Sequence, residues 1–587
     1  MDKRWQLRSL YENYEDEKFK SDMALATELG EQLNTLSREL DRGNEKENIL
    51  KGIDLFERIN EVYDKLFSFA SLQAEADTKD PAHASYLGQL SSMLSRTTKA
   101  NTVITKYIAE CRDLDRYIEE ESILKEYEYY LHNLVEDNKY MLTDAAEEVA
   151  AKYGISGGDA WSNLQSYLTS SVEVEFRGEK TTLSAVRNMA YDPDETVRKD
   201  AYEAELASYE KIKDPVAFAL NNIKQQTLSE CELRGFESPL SKTLYESRMT
   251  QKTLDALLEA MVEYMPNFHR YLKIKGKALG HENGLPWYDM FAPMGKQTKK
   301  YTIEEARAYL LNIFEKFNPD MCDIINTAYD REWIDFYPRD GKVGGAFCAG
   351  LAPIGEFRVL TNFDGSFSSI STLAHELGHG YHDTLTQDNR PLNRGYSMPV
   401  AETASTFNEN VVAKRAIDSA ETDDEKIALL DGELMEVTQI ICDIYSRFLF
   451  EKEVCDRKSE EFMFPDTLCD IMHRAQVKAY GDGITEDTLN PYMWVCKSHY
   501  YGPSLAFYNF PYAFGGLFAR GLYLLAEEKG SAFIEVYKDM LRKTPLLSVE
   551  DAAKVCGVDV TDKAFWLMSL NSYNGSIDEY EKLIMNR

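Results

Sequence analysis

The sequence predicts a mainly α-helical protein with one small β-sheet next to a histidine-rich helix. Apolar residues recur at three- and four-residue steps along most of the chain, whereas alternating apolar and polar stretches are short and few. The chain has 587 residues, of which 44% are hydrophobic. This length suggests several domains, about 150 residues each, and the composition is sufficient for extensive cores.

The clearest helical signal lies in residues 49–70. The apolar positions there form one stripe along a helix that packs on one side: Ile49, Ile53, Phe56, Ile59, Tyr63, Leu66 and Phe69. Similar patterns fill residues 80–150 and 196–230. Most of the chain is therefore expected to be helical.

Strand signals are confined to a few segments. Residues 171–180, SVEVEFRGEK, alternate apolar and polar side chains before an Arg-Gly pair, which predicts a short hairpin. Residues 341–350 and 356–365 are expected to be two extended segments directly before the histidine cluster. A domain boundary is expected near residue 190, giving an amino-terminal region 1–190 and a second region 191–587.

Composition excludes several partner classes. The net charge of −33 and a pI of about 4.8 argue against nucleic acid or an anionic membrane, because both need a basic face. The amino terminus lacks the apolar core of a signal peptide, and Arg520 interrupts the longest apolar stretch, 510–526. Nine scattered cysteines without a CxxC pair indicate free thiols and a cytoplasmic protein.

Three of the nine histidines lie within eight residues, in the segment STLAHELGHGYHD. His375 and His379 are four apart, so they share one helical face and can aim two imidazoles at one metal ion. Glu376 is offset around the helix and can reach a water on the metal without being a ligand. This is the HExxH pattern of zinc peptidases. The competing interpretation is a helix whose histidines merely fill polar niches.

A third ligand is available in residues 398–414, MPVAETASTFNENVVAK. Glu402 lies among small and apolar residues, which is unusual for a solvated surface glutamate. Two histidines and one glutamate leave one tetrahedral position for water, which is the catalytic pattern of zinc sites. Glu409, seven residues later, is on the same helical face and is expected to orient a ligand histidine.

These motifs resemble the M3 family of zinc oligopeptidases, and most closely its oligoendopeptidase F branch. The resemblance rests on TLAHELGHGYH (372–382) and AETASTFNEN (401–410), with support from GKVGGAFCAG, VLTNFDG and HYYGPSLAFYNFPYAFG (499–515). It extends from about residue 110 to the carboxy terminus. Residues 110–185 resemble the amino-terminal region of that branch.

The resemblance implies a two-lobed helical zincin-type metallopeptidase with a deep substrate channel and a small β-sheet near the zinc site. One Zn²⁺ ion would be held by His375, His379 and Glu402. Glu376 would assist attack of a zinc-bound water on internal peptide bonds. The channel would admit short unstructured peptides and exclude folded proteins.

The family also uses a histidine and tyrosines near its carboxy terminus to hold substrate and stabilise the oxyanion. His499, Tyr508 and Tyr512 are the expected counterparts here, with Tyr501 as the next candidate. The spacing departs from the thimet-oligopeptidase-like pattern, which has tyrosines five and twelve residues after the histidine. Those positions are Ser504 and Pro511 in this chain.

Gly344, Gly345, Ala346 and Phe347 are expected to form an edge strand that pairs with the substrate backbone, although a tight bend fits either glycine alone equally well. His382 is expected to line the channel or to support a ligand. Two rival functions stay open: a zinc exopeptidase of the peptidyl-dipeptidase or carboxypeptidase type, and a peptide-binding protein without catalysis. The oligomeric state does not follow from the sequence.

Overall fold

The computed structural model describes residues 3–296 and 299–586 and confirms the mainly helical fold. The first helices are α1 (Glu17–Glu39), α2 (Glu45–Ala76), α3 (Pro81–Ser95), α4 (Thr98–Ala109), α5 (Leu114–Glu120), α6 (Ser122–Glu126), α7 (Glu128–Asp137), α8 (Asp144–Ser156) and α9 (Gly158–Ser171). The middle helices are α10 (Leu183–Asn188), α11 (Glu195–Arg234), α12 (Pro239–Glu246), α13 (Gln251–Ala278), α14 (Ile303–Phe317) and α15 (Pro319–Asp330).

The carboxy-terminal half carries the histidine cluster and the helices around it. These are α16 (Phe367–Thr386), α17 (Met398–Ala401), α18 (Thr403–Ser419), α19 (Asp423–Thr438), α20 (Ile444–Lys458), α21 (Pro465–Tyr480), α22 (Met493–Cys496), α23 (Phe510–Lys529), α24 (Ser531–Lys543), α25 (Val549–Val555), α26 (Lys563–Asn571) and α27 (Asn574–Met585). A π-helical turn, Gln439–Asp443, joins α19 to α20. No described helix has the length and apolar character needed to span a membrane.

Two small sheets account for the strands among the described residues. The predicted hairpin is confirmed as β1 (Glu173–Phe176) and β2 (Glu179–Thr182), which pair antiparallel. The second sheet has the order β3-β5-β4, with strands β3 (Ile334–Asp335), β4 (Phe347–Leu351) and β5 (Glu356–Leu360). β4 is an edge strand, antiparallel to β5.

The expected edge strand at 344–347 is only partly correct. It begins at Phe347, so Gly344, Gly345 and Ala346 precede it. Gly345 has a φ of 79°, a left-handed conformation that favours glycine, and Asn362 donates hydrogen bonds to the carbonyls of Val343 and Gly345 at 3.0 and 2.9 Å. Gly345 therefore forms a tight bend, and the edge strand begins three residues later than expected, at Phe347.

Buried apolar side chains form three clusters. The first contains residues from Trp5 to Leu131 together with Leu351 and Leu360 of the second sheet. The second joins the hairpin and α11 to α20, α21 and α22, and the third contains the histidine helix and the carboxy-terminal helices. Val186 and Ile223 share the second cluster, so packing continues across residue 190. The division into 1–190 and 191–587 stays a prediction.

Candidate active site

A serine cap sets the start of the histidine helix. The Ser366 hydroxyl accepts a hydrogen bond from the Ser369 backbone N–H at 3.2 Å, so α16 begins at Phe367. The Asp364 carboxylate accepts from the Ser366 backbone and from the Ser369 hydroxyl at 2.8 and 2.7 Å. About two turns into this helix, His375 and His379 point the same way, with their Nε2 atoms 3.2 Å apart.

A glycine in the motif lets a second helix approach these histidines closely. A Cβ atom on Gly378 would lie 2.7 Å from the carbonyl oxygen of Ala404 and from Cα of Ser405. The Asn408 amide also donates to the Ala374 carbonyl at 3.1 Å and ties α18 to α16. This close packing brings Glu402, at the break between α17 and α18, to the two imidazoles.

The three predicted ligands meet with the spacing that zinc requires. Oε2 of Glu402 lies 3.4 Å from Nε2 of His375 and 3.3 Å from Nε2 of His379. Zinc–ligand bonds of about 2.0–2.1 Å in a tetrahedron imply ligand atoms about 3.3–3.4 Å apart. The two imidazole nitrogens and the carboxylate oxygen therefore fit one zinc ion without rearrangement.

Glu409 contacts the first histidine on its other side. Its Oε1 lies 3.2 Å from Nδ1 of His375, which directs Nε2 toward the metal position. Burial lowers the pKa of His375, but the carboxylates of Glu402 and Glu409 outweigh it and raise that pKa to about 11. The histidines in turn lower the pKa of Glu402 despite its burial. The site thus favours positive charge at its centre.

Glu376 lies beside these three ligands, on α16 with the two histidines. Its carboxylate comes within 4.8 Å of both imidazoles, yet Glu402 makes the shorter contacts. The Glu376 side chain is only 6% exposed, and burial raises its pKa above the usual value for a carboxyl group. A carboxyl group with a raised pKa next to a metal position is suited to accepting and returning a proton.

A cavity of about 900 Å³ opens above the triad. His375, Glu402, Glu409 and Tyr512 all line it. Sequence reasoning did not identify several other lining residues, which come from distant elements and carry no local motif: Tyr191, Phe291, Glu436 and Gln439. Gln439 belongs to the π-helical turn, a feature that is frequent at functional sites.

The predicted histidine and tyrosines form one aromatic cluster. The ring of His499 lies 4.9 Å from that of Tyr508 and 6.1 Å from that of Tyr512, and the two tyrosine rings are 5.6 Å apart. Tyr512 is 37% exposed and faces the cavity that His375 lines. Burial, with the positive charges of Arg447 and Lys497, lowers the pKa of His499.

Two other candidates lie away from the cavity. Tyr501 is 1% exposed, and its hydroxyl donates to the Trp494 carbonyl at 2.9 Å, so it supports the segment from behind. His382 is fully buried, with Nε2 2.8 Å from the Thr544 hydroxyl and its ring stacked on Tyr396. His382 thus packs α16 against its neighbours and is not a fourth ligand.

A second group of potential metal ligands consists of Glu195, His281 and Asp289. Arg198 forms a buried ion pair with Asp289 at 2.7 Å, and His281 contacts the same carboxylate at 2.7 Å. The guanidinium already supplies the positive charge that a metal would bring. We therefore assign this group to packing.

Two protein-family profiles match the chain. The profile of peptidase family M3 matches residues 188–572, and that of Oligopeptidase F matches residues 111–173. The chain is 25% identical to an oligoendopeptidase F homolog of Borreliella burgdorferi, over 99% of this chain and 98% of the relative. It is 23% identical to Oligopeptidase PepF of Bacillus subtilis, over 99% of this chain and 87% of the relative.

A solved structure, oligoendopeptidase-F from Enterococcus faecium, superimposes with a TM-score of 0.72 at 19% identity, covering 97% of this chain and 99% of that one. The likeness confirms the fold. The family profile matches most of the chain. The chain belongs to peptidase family M3 and is a metallopeptidase.

Proposed function

We propose that this metallopeptidase uses one zinc ion to hydrolyse internal bonds of short, unstructured peptides. The observation that carries the proposal is the set of ligand atoms from His375, His379 and Glu402, which are 3.2–3.4 Å from one another. The Glu376 carboxylate lies within 4.8 Å of both imidazoles, and His375 and Glu402 line a cavity of about 900 Å³. A peptide-binding protein without catalysis would not need a buried glutamate at this point.

Zinc, when bound, lowers the pKa of its water and polarises the scissile carbonyl. Glu376 accepts the proton from the attacking water and later returns it to the leaving amine. Its raised pKa, caused first by burial, brings the carboxyl group closer to the working pH of a general base. Glu409 keeps His375 oriented through Nδ1.

The aromatic cluster stabilises the negative charge that develops on the carbonyl oxygen. Tyr512 is the first candidate donor, because it lines the same cavity as His375 and Glu402. Tyr508 and His499 stand behind it at ring distances of 5.6 and 6.1 Å. Hydrogen-bond donors placed in advance at such a position need no reorganisation during the reaction.

The free edge of β4 binds the substrate backbone. Among the described residues β4 pairs with β5 on one side only, and its Cys348 lies close enough to Glu376 for that carboxylate to add to the effect of burial in raising the pKa of the thiol. Pairing through main-chain hydrogen bonds would tolerate many side chains, as expected for an enzyme that degrades varied peptides. We assign such an activity to the cytoplasm.

The test uses an internally quenched nonapeptide that is blocked at both ends. Internal cleavage that a chelator abolishes and zinc restores is the expected result, with products identified by mass. Cleavage only of peptides with a free carboxy terminus would instead support the exopeptidase. A protein that binds the peptide and cleaves none in the presence of zinc would overturn the proposal.

A further inference from the structure

A second cavity of about 550 Å³ adjoins the one above the metal ligands. Both cavities are lined by Tyr191, Phe291 and Gln439, so they meet at these three side chains. The rings of Tyr191 and Phe291 contact each other at 5.1 Å. A peptide bound across the metal site can therefore extend past these side chains into the second cavity.

The charges along the second cavity are not balanced. Arg187 and Arg198 both line it, and each has a carboxylate partner: Glu205 at 3.3 Å and Asp289 at 2.7 Å. Lys497 lines it as well, and within residues 3–296 and 299–586 no carboxylate lies within ion-pair distance of its ammonium group. The cavity wall thus carries one positive charge more than its carboxylates neutralise.

The surroundings of Lys497 disfavour its positive charge. Burial lowers the pKa of Lys497, and Asp443 opposes that effect. Asp443, however, already forms an ion pair with Arg447, whose charge and that of Arg187 act against Lys497. A partly buried cation without its own counter-ion is destabilised, and a bound anion would remove that cost.

An unpaired hydrogen-bond donor lies in the same wall. Asn490 is fully buried and lines the second cavity. Its Oδ1 accepts from the Tyr492 backbone N–H at 3.0 Å, which identifies Nδ2 as the other amide atom. In the described part of the chain, Nδ2 has no hydrogen-bond partner. Buried polar groups are rarely left unpaired, so this donor also indicates a ligand with acceptor atoms.

We propose that the second cavity binds the carboxy-terminal carboxylate of the peptide substrate, with Lys497 as its ion-pair partner. This inference rests on the proposed peptidase function and assigns a direction to the bound peptide. A free amino terminus would be repelled by Lys497, so the carboxy-terminal end enters this cavity. Every unblocked peptide carries that carboxylate whatever its sequence, which suits an enzyme with little side-chain selectivity.

The distance between the metal ligands and Lys497 then selects a chain length. The carboxylate reaches Lys497 only when a particular number of residues follows the cleaved bond. Peptides with a shorter or longer carboxy-terminal part lose this contact but keep those at the metal site. The enzyme should therefore favour cleavage at one distance from the carboxy terminus without requiring a free end.

The experiment uses quenched peptides with a blocked amino terminus and one cleavable bond. Their carboxy-terminal part grows from two to six residues, and each length is made as the free acid and as the amide. For the zinc enzyme, the acid-to-amide ratio of kcat/KM should peak at about tenfold at one length, the value of a charge-assisted contact of about 1.4 kcal/mol. Lys497→Met should bring this ratio to about one, whereas Lys497→Arg should retain most of it.

Lys51→Met is the matched control, because Lys51 lies on α2 at the surface and, among the described residues, forms an ion pair with Glu47 alone. It should preserve the full ratio. Equal cleavage of acids and amides at every length by the unsubstituted enzyme would overturn the proposal. A tenfold ratio that survives Lys497→Met would also overturn it.

A further set of amides carries glutamate at successive positions, which separates a side-chain carboxylate from the terminal one. If these amides show a Lys497-dependent preference and the free acids show none, the terminal carboxylate is the wrong ligand. Binding to Glu376→Gln, measured by fluorescence anisotropy, makes the test independent of cleavage. Tighter binding of acids than amides would support the site even if the peptidase proposal failed, and equal binding would refute it.

Discussion

The proposed metal ligands and the aromatic cluster line one site, but the chain holds them by different means. His375, His379 and Glu402 stand on or beside helices whose backbones are packed in direct contact at Gly378. His499 lies in a short 3₁₀ turn, Ser498–Tyr501, and Tyr512 lies in the first turn of α23, whereas Tyr508 lies in the loop between them. Helix geometry sets the distances between the ligand atoms. The loop is instead held in place by side-chain contacts with neighbouring helices, here called tethers.

Those tethers come from helices behind the loop. Lys224 and Glu451 form an ion pair at 2.6 Å with both side chains almost fully buried, and Asn509 donates to the other oxygen of Glu451 at 3.0 Å. The Thr243 hydroxyl donates to the Ala506 carbonyl at 2.8 Å. Phe507, between these anchors, has a φ of 54° that a non-glycine residue seldom adopts. Tyr508 is thus fixed by its neighbours.

The largest expected effect comes from a substitution beside the metal ligands. Glu376→Gln keeps the shape of the side chain but removes the base, so kcat/KM should fall by up to about 10⁴-fold. Zinc content, measured by mass spectrometry, should stay at one ion per chain, because Glu376 is not a ligand. Unchanged cleavage by a zinc-loaded variant would show that another group accepts the proton.

Breaking the tether should be the next largest effect. Lys224→Met leaves Glu451 buried without its partner and should cost about 3–5 kcal/mol of unfolding free energy, measured in urea. The double variant Lys224→Met, Glu451→Met should regain most of this stability while kcat stays low, because Asn509 has lost its acceptor. Full activity of the double variant would mean that the loop needs no tether.

Removing one hydroxyl tests the aromatic cluster directly. Tyr512→Phe should lower kcat by about 10²-fold with little change in KM, the usual effect of losing one oxyanion donor. Tyr508→Phe should have the smaller effect, because only Tyr512 lines the cavity above the triad. Tyr501→Phe is the control and should affect stability alone. An equal loss of kcat in all three variants would show that the aromatic cluster contributes only packing and no hydrogen bond to the oxyanion.

Replacing Glu409, which contacts the ligand His375, should weaken zinc binding less than replacing a ligand would. Glu409→Gln weakens the contact with Nδ1 of His375 and should lower zinc affinity about 10–100-fold, measured by competition with a chelator. Activity should recover when zinc is added in excess. Loss of activity that excess zinc does not restore would show that Glu409 contributes to catalysis as well.

The smallest effect tests how the ligand helices approach. A methyl group on Gly378 would meet the backbone of α18 at 2.7 Å, so Gly378→Ala should cost about 1–3 kcal/mol and weaken zinc binding. Gly88→Ala is the matched control, because Gly88 is an exposed helical residue with open space around its Cα. It should stabilise the protein by up to about 1 kcal/mol. Similar results for both variants would show that the close approach of α16 and α18 at Gly378 affects neither stability nor zinc binding.

The helix periodicity, the hairpin and the sheet beside the histidine helix could all be predicted from local patterns. The edge strand was placed three residues too early, because Gly345 adopts a turn that the pattern of apolar residues does not encode. Glu402 could be predicted as a ligand because it stands among small residues. Tyr191, Phe291 and Lys497 could not be predicted to share connected cavities, since they are brought together from sites hundreds of residues apart.

The sequence by itself determined which atoms face the metal from α16, because a four-residue spacing on a helix allows one relative direction. It also determined the helical class and the acidic character of the chain. Only the tertiary structure decided that Glu402 reaches those histidines, that Tyr512 shares their cavity, and that Lys497 is without a counter-ion. These depend on contacts between distant segments, whose distances are set by packing and not by local conformational preference.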